Sequence, residues 1–299
     1  MFLRRILVVA LVAMSLCYHG VAAQQSEVKP LFEYPQVPDK LTKVNMRSNY
    51  MVEHLWDNCD LGKTTITNVA SFRETFTDYL SFFILADVDV IEGSVKKFVD
   101  KVSKNKTNLD MVIGFVDSEI YNPASQFCSD DVYEIFARHL GNNKKVDGRV
   151  KAMLAANVVK LKNSKLESVM KDFPVSKGDS AGGMLSTLAS QYTIVIMNVE
   201  NDFDTSIFKL RLNTDVATNN LIGKGAVSVV SLYSNRAKTK SGDADSWYVA
   251  TLPDMEDTFD MRIRPVVYVL DKDKKIISKS PTIEQVLTMM AQLNVANQD

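Results

Sequence analysis

The chain has 299 residues, of which 46% are hydrophobic and 24% are charged, and its formal net charge is −1. This near-neutral balance excludes a general nucleic-acid-binding protein, because phosphate binding needs a basic face. Three cysteines and three histidines leave few groups for thiol or imidazole chemistry, and the length suits two domains of ordinary size.

The first 23 residues are typical of a secretory signal. Two arginines precede an apolar run at residues 6–16, and small residues end the segment at 21–23. The run is shorter than the roughly 20 residues that span a bilayer. Cys17 follows a leucine rather than the small residue that a lipoprotein signal favours. We therefore expect cleavage before Gln24 and an exported protein of the periplasm or cell envelope, without a lipid anchor or a transmembrane segment.

Residues 24–165 are predicted to form an all-helical domain of five to seven helices. Apolar residues recur there with helical spacing in several successive stretches, each apolar on one face only. The strongest stripe consists of Phe72, Phe76, Tyr79, Leu80 and Phe83. Ser129 is a good N-cap for a later helix. Such amphipathic helices bury their apolar faces against one another.

Residues 166–299 are predicted to form an α/β domain, since strand-like patterns begin near Lys171. Buried strands are expected at 192–199 and 226–233, with one helix at 204–222 between them. A strand, a helix and a second buried strand imply a parallel crossover. After a short connection at 247–255, the pattern predicts a hairpin at 266–277 and a closing helix at 282–293.

Pro265 directly precedes the apolar run of the predicted hairpin. A proline cannot donate to a ladder, so it belongs at the start of its strand. Together with residues 259–262, FDMR, this arrangement resembles the C-terminal half of the thioredoxin-like (TlpA-like) fold, where a cis-proline opens the strand facing the active-site dithiol. The resemblance implies an α/β/α sandwich. The expected fold class is therefore α + α/β, an all-helical N-terminal domain followed by a thioredoxin-like sandwich.

The N-terminal half carries a second resemblance. Residues 49–60, NYMVEHLWDNCD, are similar to a run Y-L-x-x-H-Y-W-D-N-F-D, and segments 31–38 and 121–125 look like other parts of the same domain. That run marks a helical domain of unknown function, which precedes a thioredoxin-like domain in secreted proteins of anaerobic Gram-negative bacteria. The resemblance implies export and the fold, and no established activity.

The loop after the first buried strand lacks the family's dithiol. Redox members carry C-x-x-C there, at a helix N-terminus that favours a thiolate. An ungapped comparison puts Asp202 and Thr205 on the two cysteine positions, and residues 200–205 contain no cysteine. Aspartate cannot exchange with a disulfide, so the usual chemistry is absent. Asp202 or Asp204 can instead cap the helix or, with Glu200, hold a cation.

Arg264 stands before the proline, where redox relatives usually keep a small or β-branched residue, and Arg262 lies two residues earlier. Both can receive a carboxylate-bearing ligand. The alternative, which we favour because such ion pairs are common, is that they pair with Asp260 or with the acids of residues 200–204. The predicted binding residues are Arg264, Pro265, Arg262, Asp202, Asp204 and Thr205.

In the helical half, His54, Trp56, Asp57 and Asp60 are close enough in sequence to form a pocket, although the two aspartates are also typical helix ends and caps. Cys59 and Cys128 can form a disulfide in an exported chain. Their spacing from the histidines does not suit zinc. We expect no metal and no cofactor.

These features predict an exported, redox-inactive thioredoxin-like protein that binds a protein or peptide partner as an accessory module of the cell envelope. The fold alone does not decide this, since the sandwich serves many functions. One alternative is a thiol–disulfide oxidoreductase acting through Cys59 and Cys128. A second is a hydrolase or sugar-binding protein using the cluster from His54 to Asp60. The sequence leaves the partner and the oligomeric state open.

Overall fold

A computed structural model describes residues 29–178, 180–234 and 242–296. The predicted signal at 1–23 lies outside these residues. From residue 29 to residue 163 the regular structure is helical, and the arm that precedes the first helix lays Phe32 and Tyr34 on the helical core. Among the described residues, no helix is long and apolar enough to cross a membrane.

Six α-helices build the N-terminal half within this range. They are α1 (Val44–His54), α2 (Val69–Ser81), α3 (Val88–Val102), α4 (Lys106–Phe115), α5 (Asp130–Asn142) and α6 (Gly148–Asn163), with a 3-10 turn at Phe82–Leu85 and a π turn at Val116–Tyr121. Side-chain caps begin several of them, including the predicted Ser129, whose hydroxyl accepts from the Val132 amide. The predicted aromatic stripe lies on α2 except for Phe83, which is in the 3-10 turn, and the rings of Phe72 and Tyr79 pack edge-on against Trp56 in the core.

The C-terminal half is built on a sheet that has seven strands among the described residues. These are β1 (Pro174–Lys177), β2 (Ser180–Met184), β3 (Tyr192–Asn198), β4 (Val227–Tyr233), β5 (Tyr248–Thr251), β6 (Val266–Leu270) and β7 (Ile276–Lys279), in the order β2-β1-β5-β4-β3-β6-β7. Strands β3, β4 and β5 are parallel, as the crossover pattern predicts for β3 and β4. The remaining neighbours are antiparallel.

Both faces of the sheet are covered, which explains the uninterrupted apolar runs of β3 and β6. On one face, Ile194 and Ile196 pack under α7 (Phe203–Thr214), α8 (Val216–Gly223) and α10 (Ile283–Ala296). On the other, alternate residues of the same strand meet the loops and the short helix α9 (Met255–Thr258). This alternation fixes the register, because a one-residue slip would exchange the two faces.

Three features differ from the sequence prediction. Strands β1, β2 and β5 were not expected, and β5 occupies the predicted connection at 247–255. The predicted helix at 204–222 is two helices. Asp215 breaks it, since its carboxylate accepts from both the amide and the hydroxyl of Thr218 and so caps α8. A strong local cap thus overrides continuous helical spacing.

The two halves contact each other next to α9. Asn163 at the end of α6 donates to the carbonyl of Thr258 (3.0 Å), and the hydroxyl of Ser164 accepts from the amide of Asp260 (2.8 Å). On the far side of the same residue, the hydroxyl of Tyr268 donates to the Asp260 carbonyl (2.8 Å). The segment that leads into β6 is therefore held between the helical half and the sheet.

Candidate functional site

The loop after β3 and the segment before β6 lie at the same end of the sheet. Strands β3 and β6 are antiparallel neighbours, with Met197 opposite Val266. This register brings Asp202 and Arg264 together, with 3.4 Å between Oδ2 and Nη1. The peptide bond between Arg264 and Pro265 is cis.

Asp202 is the N-cap of α7. Its carboxylate accepts from the amides of Asp204 (3.1 Å) and Thr205 (3.3 Å) and from the Thr205 hydroxyl (2.7 Å). Its side chain is only 5% exposed, whereas Asp204 is exposed. Asn201 adopts φ 61° in the turn just before, a conformation that asparagine tolerates. The loop thus resembles a capped helix start and not a nucleophile site.

Arg264 keeps most of its hydrogen-bonding capacity at the surface. Its side chain is 40% exposed, and the contact to Asp202 is longer than the 2.7–2.9 Å of a strong charge-assisted bond. Within the described residues, neither Ile263 nor Arg264 makes a main-chain hydrogen bond to another main-chain group. The guanidinium is therefore exposed, beside main-chain groups that have no main-chain partner among the described residues.

An exposed apolar stripe runs along α7, the helix that Asp202 caps, and the sequence prediction missed it. Phe203, Ile207 and Leu210 are 74%, 40% and 62% exposed at spacings of four and three residues along α7. Ile263, directly before Arg264, is 47% exposed. The helical spacing is visible in the sequence, but α7 carries apolar residues on both faces, so the sequence does not tell which face the sheet covers.

Arg262, one of the predicted binding residues, lies in the interface between the halves, where it forms the pairing with Asp260 that the sequence offers as the alternative to ligand binding. Its guanidinium pairs with Asp260 (2.7 Å) and with Asp130 of α5 (2.6 Å), and it donates to the carbonyl of Tyr121 (2.6 Å). Burial raises the pKa of Asp260, but hydrogen bonds from Arg262 and Lys279 outweigh it and lower that pKa to about 2. Arg262 is thus an internal ion-pair partner.

The predicted pocket of the helical half is not formed as one unit. His54 and Asp57 are paired at the surface (Nδ1 to Oδ2, 2.8 Å), and Asp60 accepts from the amide of Lys63. Trp56 is only 5% exposed and stacks on Phe98 in the core, with its ring nitrogen buried and without a partner. The indole therefore stabilises the helical core, while the other three side chains remain outside.

Both described cysteines are free thiols, Cys59 buried and Cys128 half-buried. Burial raises the pKa of each thiol, against a weaker lowering by Lys101 for Cys59 and by Arg262 for Cys128. A raised pKa reduces the thiolate population that disulfide exchange requires. Within residues 29–178, 180–234 and 242–296, no three His, Cys, Asp or Glu side chains are grouped to hold a metal ion.

Comparisons with known proteins place this geometry in context. A family model described as a domain of unknown function (DUF5106) matches residues 18–164. A thioredoxin-like protein from Bacteroides caccae is 18% identical and superposes with a TM-score of 0.68 over 88% of this chain and 98% of its own. No curated protein matches this chain.

Shorter structures match a part of the chain. The C-terminal domain of an uncharacterized protein from Bacteroides fragilis is 20% identical over 43% of this chain and 99% of its own, with a TM-score of 0.38. The thioredoxin domain of a thiol-disulfide oxidoreductase from Bacteroides vulgatus is 13% identical over 43% of this chain and 97% of its own, with a TM-score of 0.35.

The Bacteroides caccae protein supports the fold over most of the chain. A helical N-terminal region followed by a mixed sheet with thioredoxin-like neighbours confirms the predicted fold class at that level. The chain thus carries a DUF5106 match at residues 18–164, and its fold is similar to that of a thioredoxin-like protein from Bacteroides.

Proposed function

We propose that this chain is an exported, redox-inactive thioredoxin-like protein that binds an extended segment of a partner protein. The binding surface is formed by Arg264, the main chain at Ile263, and the exposed face of α7 at Phe203 and Ile207. The observation that carries the proposal is the exposure of the Arg264 side chain. Its exposed guanidinium makes one long contact, to Asp202, and follows the exposed Ile263 in a segment whose main chain has no main-chain partner among the described residues.

The contact with Asp202 leaves the Arg264 guanidinium available to a ligand. Asp202 already accepts three hydrogen bonds from α7, so its carboxylate is stabilised without the arginine. A partner carboxylate can then form a two-pronged, charge-assisted pair with the guanidinium, worth about 1.5–3 kcal/mol when desolvated. Lysine would not reproduce that pair, since it lacks the planar fork.

The surroundings favour a peptide over a small ion. The main chain of Ile263 and Arg264 has no main-chain partner within residues 29–178, 180–234 and 242–296, so it can hydrogen-bond with an extended segment, as in strand addition. Phe203 and Ile207 offer apolar area for the side chains of such a segment. The preferred ligand is therefore an extended segment with an acidic residue next to apolar ones.

The side chains of residues 200–205 and the two described cysteines give little support to a redox function. Residues 200–205 at the start of α7 offer three carboxylates, an amide, a phenyl ring and a hydroxyl, and none of these attacks a disulfide sulfur. Cys59 and Cys128 lie in the other half and have raised pKa values. These observations favour a binding role over the oxidoreductase alternative.

An array of immobilised random dodecapeptides tests the proposal with the mature full-length chain. Peptides that bind should lose affinity when their acidic residue is replaced by its amide. Arg264→Ala should weaken binding about ten-fold or more, Arg264→Lys should only partly restore it, and Phe203→Ser should also weaken it. Matched controls are Arg149→Ala and Ile84→Ser, an exposed arginine and an exposed apolar residue of the helical half.

Two results would overturn the proposal. Equal peptide affinity of wild type and Arg264→Ala would remove Arg264 from any binding role. Reduction of insulin disulfides by the wild type, lost in a Cys59→Ser, Cys128→Ser double variant, would establish the oxidoreductase function instead.

A further inference from the structure

Four charged side chains form a closed cluster where the two halves meet. Asp130 comes from α5 of the helical half, and Asp260, Arg262 and Lys279 come from the thioredoxin-like half. Each cation contacts both carboxylates. Arg262 lies 2.6 Å from Asp130 and 2.7 Å from Asp260, and Lys279 lies 3.3 Å and 2.6 Å from the same acids. The four formal charges cancel.

The cluster is largely shielded from water. The side chains of Asp260, Arg262 and Lys279 are 2%, 12% and 18% exposed, and that of Asp130 is 40% exposed. Charges buried this deeply depend on their partners, and losing one partner leaves an uncompensated charge. Asp130 is the most accessible member and the only one that the helical half supplies.

Arg262 also contacts the helical half at Tyr121, in two ways. Its Nη1 donates to the Tyr121 carbonyl (2.6 Å), and its guanidinium carbon lies 4.4 Å from the centre of the Tyr121 ring. The arginine thus uses both its donors and its planar face on residues more than 130 positions away in sequence. A lysine at this position would keep the charge and lose the fork and the stacking.

Arg262 is also hydrogen-bonded to Asp260 within the segment that leads to Arg264. Its amide donates to Asp260 Oδ1 (3.1 Å) and its Nε donates to the same oxygen (2.8 Å). The main chain of Asp260 is held on both sides by Ser164 and Tyr268. Only Ile263 separates Arg262 from Arg264. The main-chain conformation of residues 260–262 therefore determines the position of Arg264.

We propose that the helical half is a positioning element of the thioredoxin-like site: Asp130 and the Tyr121 carbonyl hold Arg262, and Arg262 holds the segment that presents Arg264 and Pro265. Asp130 and Arg262 are then positioning residues, although neither faces the proposed ligand. This goes beyond peptide binding, since it assigns a role to the helical half whatever Arg264 binds.

A cluster that merely joins the halves predicts a different response to mutation. Loss of simple adhesion weakens the whole interface and lowers global stability, so protection from hydrogen exchange falls throughout the sheet. Loss of a positioning contact opens residues 260–262 locally, while the core strands keep their protection. Hydrogen exchange by residue therefore separates the two.

The experiment is native-state hydrogen exchange of the full chain, comparing wild type with Asp130→Asn. We expect exchange at the amides of Asp260 and Arg262, both bonded to side-chain oxygens, to accelerate about ten-fold or more, with β4 unchanged. Asp131→Asn is the matched control, because it removes the next carboxylate on α5, whose partner Lys165 is exposed. It should leave both amides at the wild-type rate.

Arg262→Lys provides a second variant that keeps every charge. The proposal expects the same local acceleration, because lysine loses the bond to the Tyr121 carbonyl and the two-pronged contact with Asp260. It fails if Asp260 and Arg262 exchange at wild-type rates in both variants, or if acceleration is equal at β4. If Asp130→Asn does not fold, Arg262→Lys decides by the same criteria. Neither readout involves a peptide, so failure of the proposed binding function would be seen separately.

Discussion

Lys209 and Asp243 form an ion pair inside the thioredoxin-like half, with 2.5 Å between Nζ and Oδ1 and with side chains only 3% and 5% exposed. Lys209 also donates to Asn198 (2.9 Å), and Asp243 accepts from the hydroxyls of Ser231 (2.6 Å) and Tyr233 (2.8 Å). The pair thus links α7 to the ends of β3 and β4 and to the segment before β5. Because α7 starts at the proposed binding loop, this network holds the helix that carries Phe203.

Lys209→Met should destabilise the protein by about 3–5 kcal/mol, because it leaves the Asp243 carboxylate buried without its cation. Lys209→Met combined with Asp243→Asn should recover much of that loss, since the amide removes the charge and keeps an acceptor for a hydroxyl. Urea unfolding followed by circular dichroism measures both. A double variant as unstable as the single one would contradict the assignment of the cost to an unpaired charge.

Arg264→Ala should change the free energy of unfolding by less than about 1 kcal/mol, because an exposed pair with one long contact contributes little. Asp202→Ala should cost about 1 kcal/mol or more, since it removes the cap of α7. Thermal unfolding of the two variants side by side tests this. A larger loss in Arg264→Ala than in Asp202→Ala would make the arginine an internal structural partner.

Stability should fall as the pH is lowered from 8 to 5.5, in part because of His139. Its Nε2 is buried and has no hydrogen-bond partner in the part of the chain that the structure describes, and burial lowers the pKa of the imidazole. The unfolded chain, with a histidine pKa near 6.5, therefore binds the proton more readily than the folded chain. The stabilisation of the folded state that depends on a neutral His139 is present above about pH 6.5 and is lost as the pH falls below it.

His139→Leu should reduce this pH dependence in urea titrations at pH 8, 7, 6 and 5.5. Asp260 does not interfere, because a folded pKa of about 2 makes its contribution complete above the unfolded aspartate pKa near 3.9. An identical pH profile in wild type and variant would show that His139 is protonated equally in both states.

We propose that the chain is exported with cleavage before Gln24 and without a lipid. Small residues at 21–23 suit signal cleavage, and the leucine before Cys17 does not suit a lipoprotein signal. Intact-mass spectrometry of the protein recovered from the cell envelope reads the N-terminus directly. An acylated cysteine at position 17 would contradict the prediction.

Local sequence patterns were sufficient for the elements that bury one or both faces continuously. The aromatic stripe of α2 and the apolar runs of β3 and β6 each carry their own period and length, so they indicate helix or strand without reference to the rest of the chain. The short strands β1, β2 and β5 carry no such signal. The sequence of β2 is SAGGM, and these strands exist because of partners supplied elsewhere in the chain.

The features of the candidate site also fall into those that the sequence predicts and those that depend on the fold. The absence of a cysteine from 200–205, the capping capacity of Asp202 and the unusual arginine before Pro265 are properties of the sequence alone, because each depends on neighbouring residues. The assignments of Arg264 to the surface and of Arg262 to the interface could not be made from the sequence. Two arginines in the same short segment differ only in what the fold brings to them.

The tertiary structure decided those partners, because ion pairs in the interior depend on three-dimensional proximity and on burial. Asp130 and Tyr121 reach Arg262 across more than 130 residues, and Asp243 reaches Lys209 from the segment before β5. Likewise, the apolar spacing on α7 became an exposed stripe only when the sheet covered its opposite face at Phe208 and Leu212. A one-dimensional pattern records which residues are apolar or charged, whereas packing determines which of them water can reach.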